Sequence, residues 1–87
     1  MEVERALGEV LRELRRERGL SQEDLGLEAE VERNYVSLIE LGKNSPSIRI
    51  LYRLCKTLGV TPSAVLAAVD QRLAERPAKR RRALKDG

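Results

Sequence analysis

The stretch Leu20–Gly42, LSQEDLGLEAEVERNYVSLIELG, decides the fold. It opens with Ser21-Gln22-Glu23-Asp24, a capping-box pattern: the serine oxygen meets the amides ahead, and the carboxylate three residues on reaches back. A short helix is predicted from about Gln22 to Glu28. Another follows after only a few residues, from about Arg33 to Leu41, and Gly42 closes it. The same stretch is acidic, with Glu23, Asp24, Glu28, Glu30, Glu32 and Glu40 set against Arg33 alone.

On the N-terminal side, Val3, Leu7, Val10, Leu11 and Leu14 recur at helical spacing, with Arg5/Glu9 and Glu9/Arg12 as supporting pairs. That helix ends at Gly19, a natural C-cap. On the C-terminal side, GKNSPS is a loop rich in turn formers. Ser47 then caps a fourth helix whose Ile48, Leu51, Leu54, Cys55 and Leu58 make one apolar stripe, and Gly59 ends it. Thr61-Pro62 starts a fifth, with proline in the first helical position. Its stripe of Val65, Leu66, Val69 and Leu73 runs to about Arg76. Five helices and no strand signal predict an all-α, compact five-helix domain over residues 1–76. A basic tail, expected to be mobile, fills 77–87 and carries Lys79, Arg80, Arg81, Arg82 and Lys85 against Asp86.

At 87 residues the chain supports one core, built from aliphatic side chains with no Phe or Trp. Such a core gives a net margin of roughly 3–5 kcal/mol. There is no histidine and a single cysteine, Cys55. That removes disulfide frameworks, zinc sites of the usual spacing and His-based acid–base chemistry, so an enzyme, a metal and a cofactor are not expected. No apolar run approaches the roughly 18 residues that span a bilayer, and no signal-peptide core is present, so the expected compartment is the cytoplasm, with no membrane partner. The basic tail is expected either to attract phosphate or simply to solubilise the end of the chain.

Two short helices joined by a turn have the form of a helix-turn-helix, whose second helix lies in the DNA major groove. On a wheel of about 100° per residue, Val36, Ile39 and Tyr35 cluster on one side of the third helix. Arg33, Asn34, Ser37, Leu38 and Leu41 face the other way, and Glu32 falls on the core-facing side at the helix start. Guanidinium pairs with guanine O6/N7, a carboxamide with adenine N6/N7, and a leucine suits a thymine methyl. Arg33, Asn34, Ser37 and Leu38 are therefore the candidate base contacts. Gln22, at the start of the second helix, is placed for a phosphate, and Arg49 is a further phosphate candidate.

LSQEDLGLEAEVERNYVSLIELGKNSPSIRILYRLCKTLGVTPSAVL resembles the phage-repressor and Cro-like, or XRE-type, helix-turn-helix family. The landmarks are Ser21-Gln22, Leu25 and Gly26, Val31, Val36, Ile39, Glu40-x-Gly42, Pro46-Ser47 and Leu58-Gly59-Val60, within a match from about Leu11 to Leu66. The resemblance implies a lambda-repressor-like five-helix domain that binds double-stranded DNA as a homodimer on a twofold-symmetric operator. Half-sites would lie about 34–36 Å apart. It also implies phosphate contacts from Lys43 and Asn44 and an internal ion pair between Arg15 and Glu40. Cys55 stands where the family has a small apolar residue, implying a buried, inert thiol.

Three positions depart from the family pattern. Glu30 replaces a glycine in the turn, Glu32 replaces a Ser or Thr cap, and Leu41 replaces a basic or polar residue. The dimer surface is expected on the fifth helix at Val69 and Leu73. Sequence-specific transcriptional regulation, without a small-molecule ligand, is the function this reading expects. The alternative is a protein-interaction module of the same fold that docks a basic partner on its acidic surface.

Overall fold

Three of the helix starts are fixed by side-chain caps that the sequence supplies. The Ser21 hydroxyl oxygen accepts from the Asp24 N–H at 2.9 Å, and the Asp24 carboxylate accepts from the Ser21 N–H at 3.2 Å. Ser47 accepts from the Ile50 N–H and Thr61 from the Ala64 N–H, each at 3.1 Å. Every such contact satisfies one of the amide donors that a helix start leaves without an intrahelical acceptor. The computed structural model describes residues 2–75 and contains α1 Glu2–Glu17, α2 Gln22–Ala29, α3 Arg33–Glu40, α4 Ile48–Leu58 and α5 Pro62–Ala74. The expected division at residues 76/77 and the basic tail lie outside the described residues.

α1 packs against α5 and α3, α2 against α3 and α4, and α4 against α5. Leu11, Leu25, Val36, Ile39, Leu54, Cys55, Leu58 and Val65 are fully buried where these helices meet. The Cys55 thiol is pushed above its ordinary pKa by burial, which disfavours the reactive thiolate. α5 is pinned to α1 by Arg72, whose guanidinium donates to Glu13 at 2.7 Å and Glu9 at 3.0 Å. Both hydrogen bonds, Glu13's foremost, hold Arg72 above its usual pKa.

The helical stripes need correction at their edges. Val3, Ile48 and Leu66 are exposed. Val3 and Ile48 sit in the first turns of their helices, ahead of the first residues that reach the core. Leu66 lies beside the narrow line of Val65 and Val69 that α5 buries. Glu9 pairs with Arg5 at 3.7 Å, as the local spacing predicts, and also with Arg72 across the fold at 3.0 Å. Partway along α1, Gly8 lies against the end of α3: a Cβ there would collide with the carbonyl oxygen of Ile39 and come within 2.6 Å of that of Glu40.

The turn after α2 is left-handed at Glu30, with φ 60° and ψ 46°. The Val31 N–H closes it by donating to the Gly26 carbonyl at 2.8 Å. A side chain in this conformation costs free energy that glycine avoids. Glu30→Gly is expected to raise stability by about 0.5–1 kcal/mol, or a few degrees in Tm on thermal melting. An unchanged or lower Tm would show that the turn carries no such strain.

Candidate nucleic-acid interface

The outer face of α3 is held by groups that do not themselves reach it. Inside, Val36 and Ile39 are each 1% exposed, and Tyr35 packs partly against the core. Gly26 lets the turn approach α2 so closely that a Cβ would lie 2.5 Å from the Val31 carbonyl oxygen. At the other end, the Lys43 and Asn44 N–H groups both donate to the Leu38 carbonyl, at 2.9 and 3.3 Å, folding the loop back onto the helix. Gly42 makes this reversal with φ +76°. Its backbone lies so near Arg5 that a Cβ would come within 2.8 Å of the Arg5 Cα.

Beneath this surface a buried polar network ties three helices together. Arg15 Nε and Nη2 donate to the two carboxylate oxygens of Glu40 at 2.7 and 3.1 Å. Arg15 Nη1 donates to the Leu20 carbonyl at 2.8 Å. Gln22 Nε2 donates to Glu40 Oε1 at 3.1 Å. The side chains of Arg15 and Glu40 are only 10% and 3% exposed. Such a pair is held by geometry, with two parallel hydrogen bonds and further bonds from Arg15 to the Leu20 carbonyl and from Gln22 to Glu40. Glu40 thus contributes no negative field to the outer face, because its charge is internal and compensated. Gln22, expected on a phosphate, has one amide N–H engaged here, which leaves its other amide N–H for an external acceptor.

Outside, Arg33 and Asn34 are exposed, Ser37 is half-buried, and Leu38 is 36% exposed. Lys43 and Arg49 are exposed and Asn44 is half-buried. Arg33 has no ion-pair partner among the described residues. The structure therefore places the four expected base-contact residues on one outward face, with Lys43 and Asn44 on the loop at its end.

Glu32 is exposed rather than core-facing. It is the N-cap, with extended backbone at φ −60° and ψ 141°, so the helical phase does not apply to it, and its side chain makes no capping bond. Together with Glu23, Leu27, Glu30 and Arg33 it lines a shallow hollow beside the start of α3. Sequence reasoning missed Leu27, which is 74% exposed. Its signal was an apolar residue off the packing line of Leu25 and Ala29.

The family model described as Helix-turn-helix matches residues 11–65. An uncharacterised HTH-type transcriptional regulator, y4dJ of Sinorhizobium fredii, is 31% identical over 71 residues, covering 82% of this chain and 92% of that protein. The chain belongs to the helix-turn-helix family, of the phage-repressor and Cro-like (XRE) type.

Within this family, the HTH-type transcriptional regulator DdrOP3 of Deinococcus deserti is 41% identical over 64 residues, covering 74% of this chain but only 50% of that one. Among solved structures, the clp gene regulator ClgR of Corynebacterium glutamicum superposes with a TM-score of 0.84 at 28% identity, covering 93% of this chain and 86% of that one. The restriction-modification controller protein C.AhdI of Aeromonas hydrophila gives 0.70 at 34% identity, covering 71% and 94%. The described residues of this helix-turn-helix chain include no helix long and apolar enough to cross a membrane, and no cluster of metal-ligating side chains.

Packing narrows one candidate surface. Val69, expected to face a second copy, is 3% exposed and belongs to the core of its own chain. Leu73 is partly buried against the same core. Val65 and Val69 form the buried line of α5, and Leu66 lies outside it.

Proposed function

We propose that this protein is a sequence-specific transcriptional regulator that lays α3 in the DNA major groove of a twofold-symmetric operator. The observation that carries this reading is the outward row of Arg33, Asn34, Ser37 and Leu38. It combines a cation with no ion-pair partner among the described residues, a carboxamide and an apolar side chain, the chemistries that distinguish base edges. Lys43, Asn44, Arg49 and the second Gln22 amide N–H supply the backbone contacts that set register. The transcriptional regulators among its relatives, and a controller protein among the similar structures, support the regulatory role.

A homodimer supports the operator symmetry, and its surface is drawn from the free side of α5. Leu66 is 46% exposed there, and Leu73 borders it.

Selection of bound duplexes from a random library tests this directly: two inverted half-sites about 34–36 Å apart are expected. On the selected site, affinity should fall steeply with salt as counterions are released. Arg33→Ala should cost about 1–3 kcal/mol and relax preference at one base pair. Equal losses on every sequence would make Arg33 a phosphate contact instead.

The hollow with exposed Leu27 ringed by Glu23, Glu30 and Glu32 favours a second reading, in which the same fold docks a basic protein partner. Absence of duplex binding even at about 50 mM salt would favour it, because electrostatic attraction to phosphate is strongest at low salt.

A further inference from the structure

Two leucines, one on α3 and one at its C-cap, remain on the solvent side where the rest of the helix has sorted its apolar groups inward. Leu38 is 36% exposed and Leu41 58%. Leu41 is the C-cap residue, and its φ −81° and ψ −5° keep it close to the helical phase. At about 100° per residue, Asn34, Leu38 and Leu41 fall within an arc of about 60°. Whatever surface Asn34 reads, both leucines face it as well. Along the axis they lie about 6 and 10.5 Å beyond Asn34 at a rise of about 1.5 Å per residue. These distances correspond to about two and three base-pair steps of 3.4 Å.

Charge identifies the occupant. Arg33 stands at one end of the row and Lys43 just beyond the other, while Glu40 is buried against Arg15. A pair of leucines with Arg33 towards one end, beside the exposed Glu32, and Lys43 at the other fits a polyanion that displays methyl groups, and the thymine-lined major groove is such a surface.

We propose that Leu38 and Leu41 together read the C5-methyl groups of two thymines, fixing specificity at two base pairs beyond the one faced by Asn34. The proposal rests on the DNA-binding reading above. It assigns to Leu41 a base contact in place of the phosphate contact that a polar residue there would make.

Once the half-site is selected, each thymine is replaced singly by deoxyuridine, which removes one methyl group and leaves the pairing edge intact. At two positions per half-site, binding should weaken by about fourfold, the value of one buried methyl. Leu38→Ala should abolish the penalty at one of these positions and Leu41→Ala at the other; the melting temperature should change little for Leu41→Ala, whose side chain is 58% exposed, and fall modestly for Leu38→Ala, whose side chain is 36% exposed, with both variants folded at the assay temperature. Equal binding of every deoxyuridine duplex, or penalties that persist in both alanine variants, would overturn the proposal. So would leucines that a second copy covers, seen as self-association that the same substitutions weaken, with no methyl effect. Failure of the parent protein to bind any unmodified duplex in a salt-dependent way would be recognised separately, as failure of the DNA reading itself, and would remove this proposal with it.

Discussion

Glu40→Ala is expected to cost about 3–5 kcal/mol, enough to remove most of the stability of a chain with so small a core. The reason is the state in which it leaves Arg15. The guanidinium would remain buried, having lost both hydrogen bonds to the carboxylate and kept only the Leu20 carbonyl. Arginine cannot shed its proton to escape that cost. Gln22 would lose its acceptor too, loosening the start of α2 against the end of α3.

The experiment that isolates this cause compares two variants by chemical denaturation. Replacing both partners, as Arg15→Met with Glu40→Leu, removes the buried charge along with its compensation, and it should recover much of what Glu40→Ala alone loses. If the double variant were the less stable of the two, the pair itself would be the source of stability and the argument from an orphaned charge would be wrong. The comparison also bears on function: a double variant that folds but reads DNA poorly would show that the network orients α3 as well as holding it.

The features that were legible in the sequence are those set by residues within a few positions of one another. Ser21 with Asp24, Ser47, and Thr61 ahead of Pro62 each fix a helix start through a bond spanning three residues. The left-handed turn at Glu30 was visible as a departure from glycine. The phase of α3 placed Arg33, Asn34 and Leu38 outward because Val36 and Ile39 had to be inward.

What the sequence did not reveal depends on partners distant along the chain. Periodicity identifies the side of a helix that packs but not how far the covering helix extends, which is why the apolar stripes take in the exposed Val3, Ile48 and Leu66, and why Val69, which the core buries, is expected on a dimer surface. Arg72 reaches Glu9 and Glu13 across a separation that no local spacing reports. Glu32 was placed by a helical wheel that does not extend to a cap residue with extended backbone.

Gly8 is the clearest of these cases, and its replacement is the second large effect expected. Judged locally, Gly8→Ala should stabilise α1 by roughly 1 kcal/mol, the usual gain for alanine over glycine inside a helix. In the fold, the new Cβ would meet the Ile39 and Glu40 carbonyl oxygens and, at 2.8 Å, the Glu40 carbonyl carbon. All three are backbone atoms that cannot rotate aside, so α1 and α3 must move apart, and overpacking of this kind costs about 1–3 kcal/mol or more. The separation also strains the Arg15–Glu40 pair, since Glu40 sits on the displaced turn. A net loss of roughly 3 kcal/mol in denaturant titration is therefore expected. A variant as stable as the parent would show that the two helices tolerate the wider spacing. Because both substitutions disturb the same contact, Gly8→Ala should cost less in the Arg15→Met, Glu40→Leu background than in the parent chain. Equal costs in the two backgrounds would mean that helix spacing and ion pair are independent, and that the close approach at Gly8 serves packing alone.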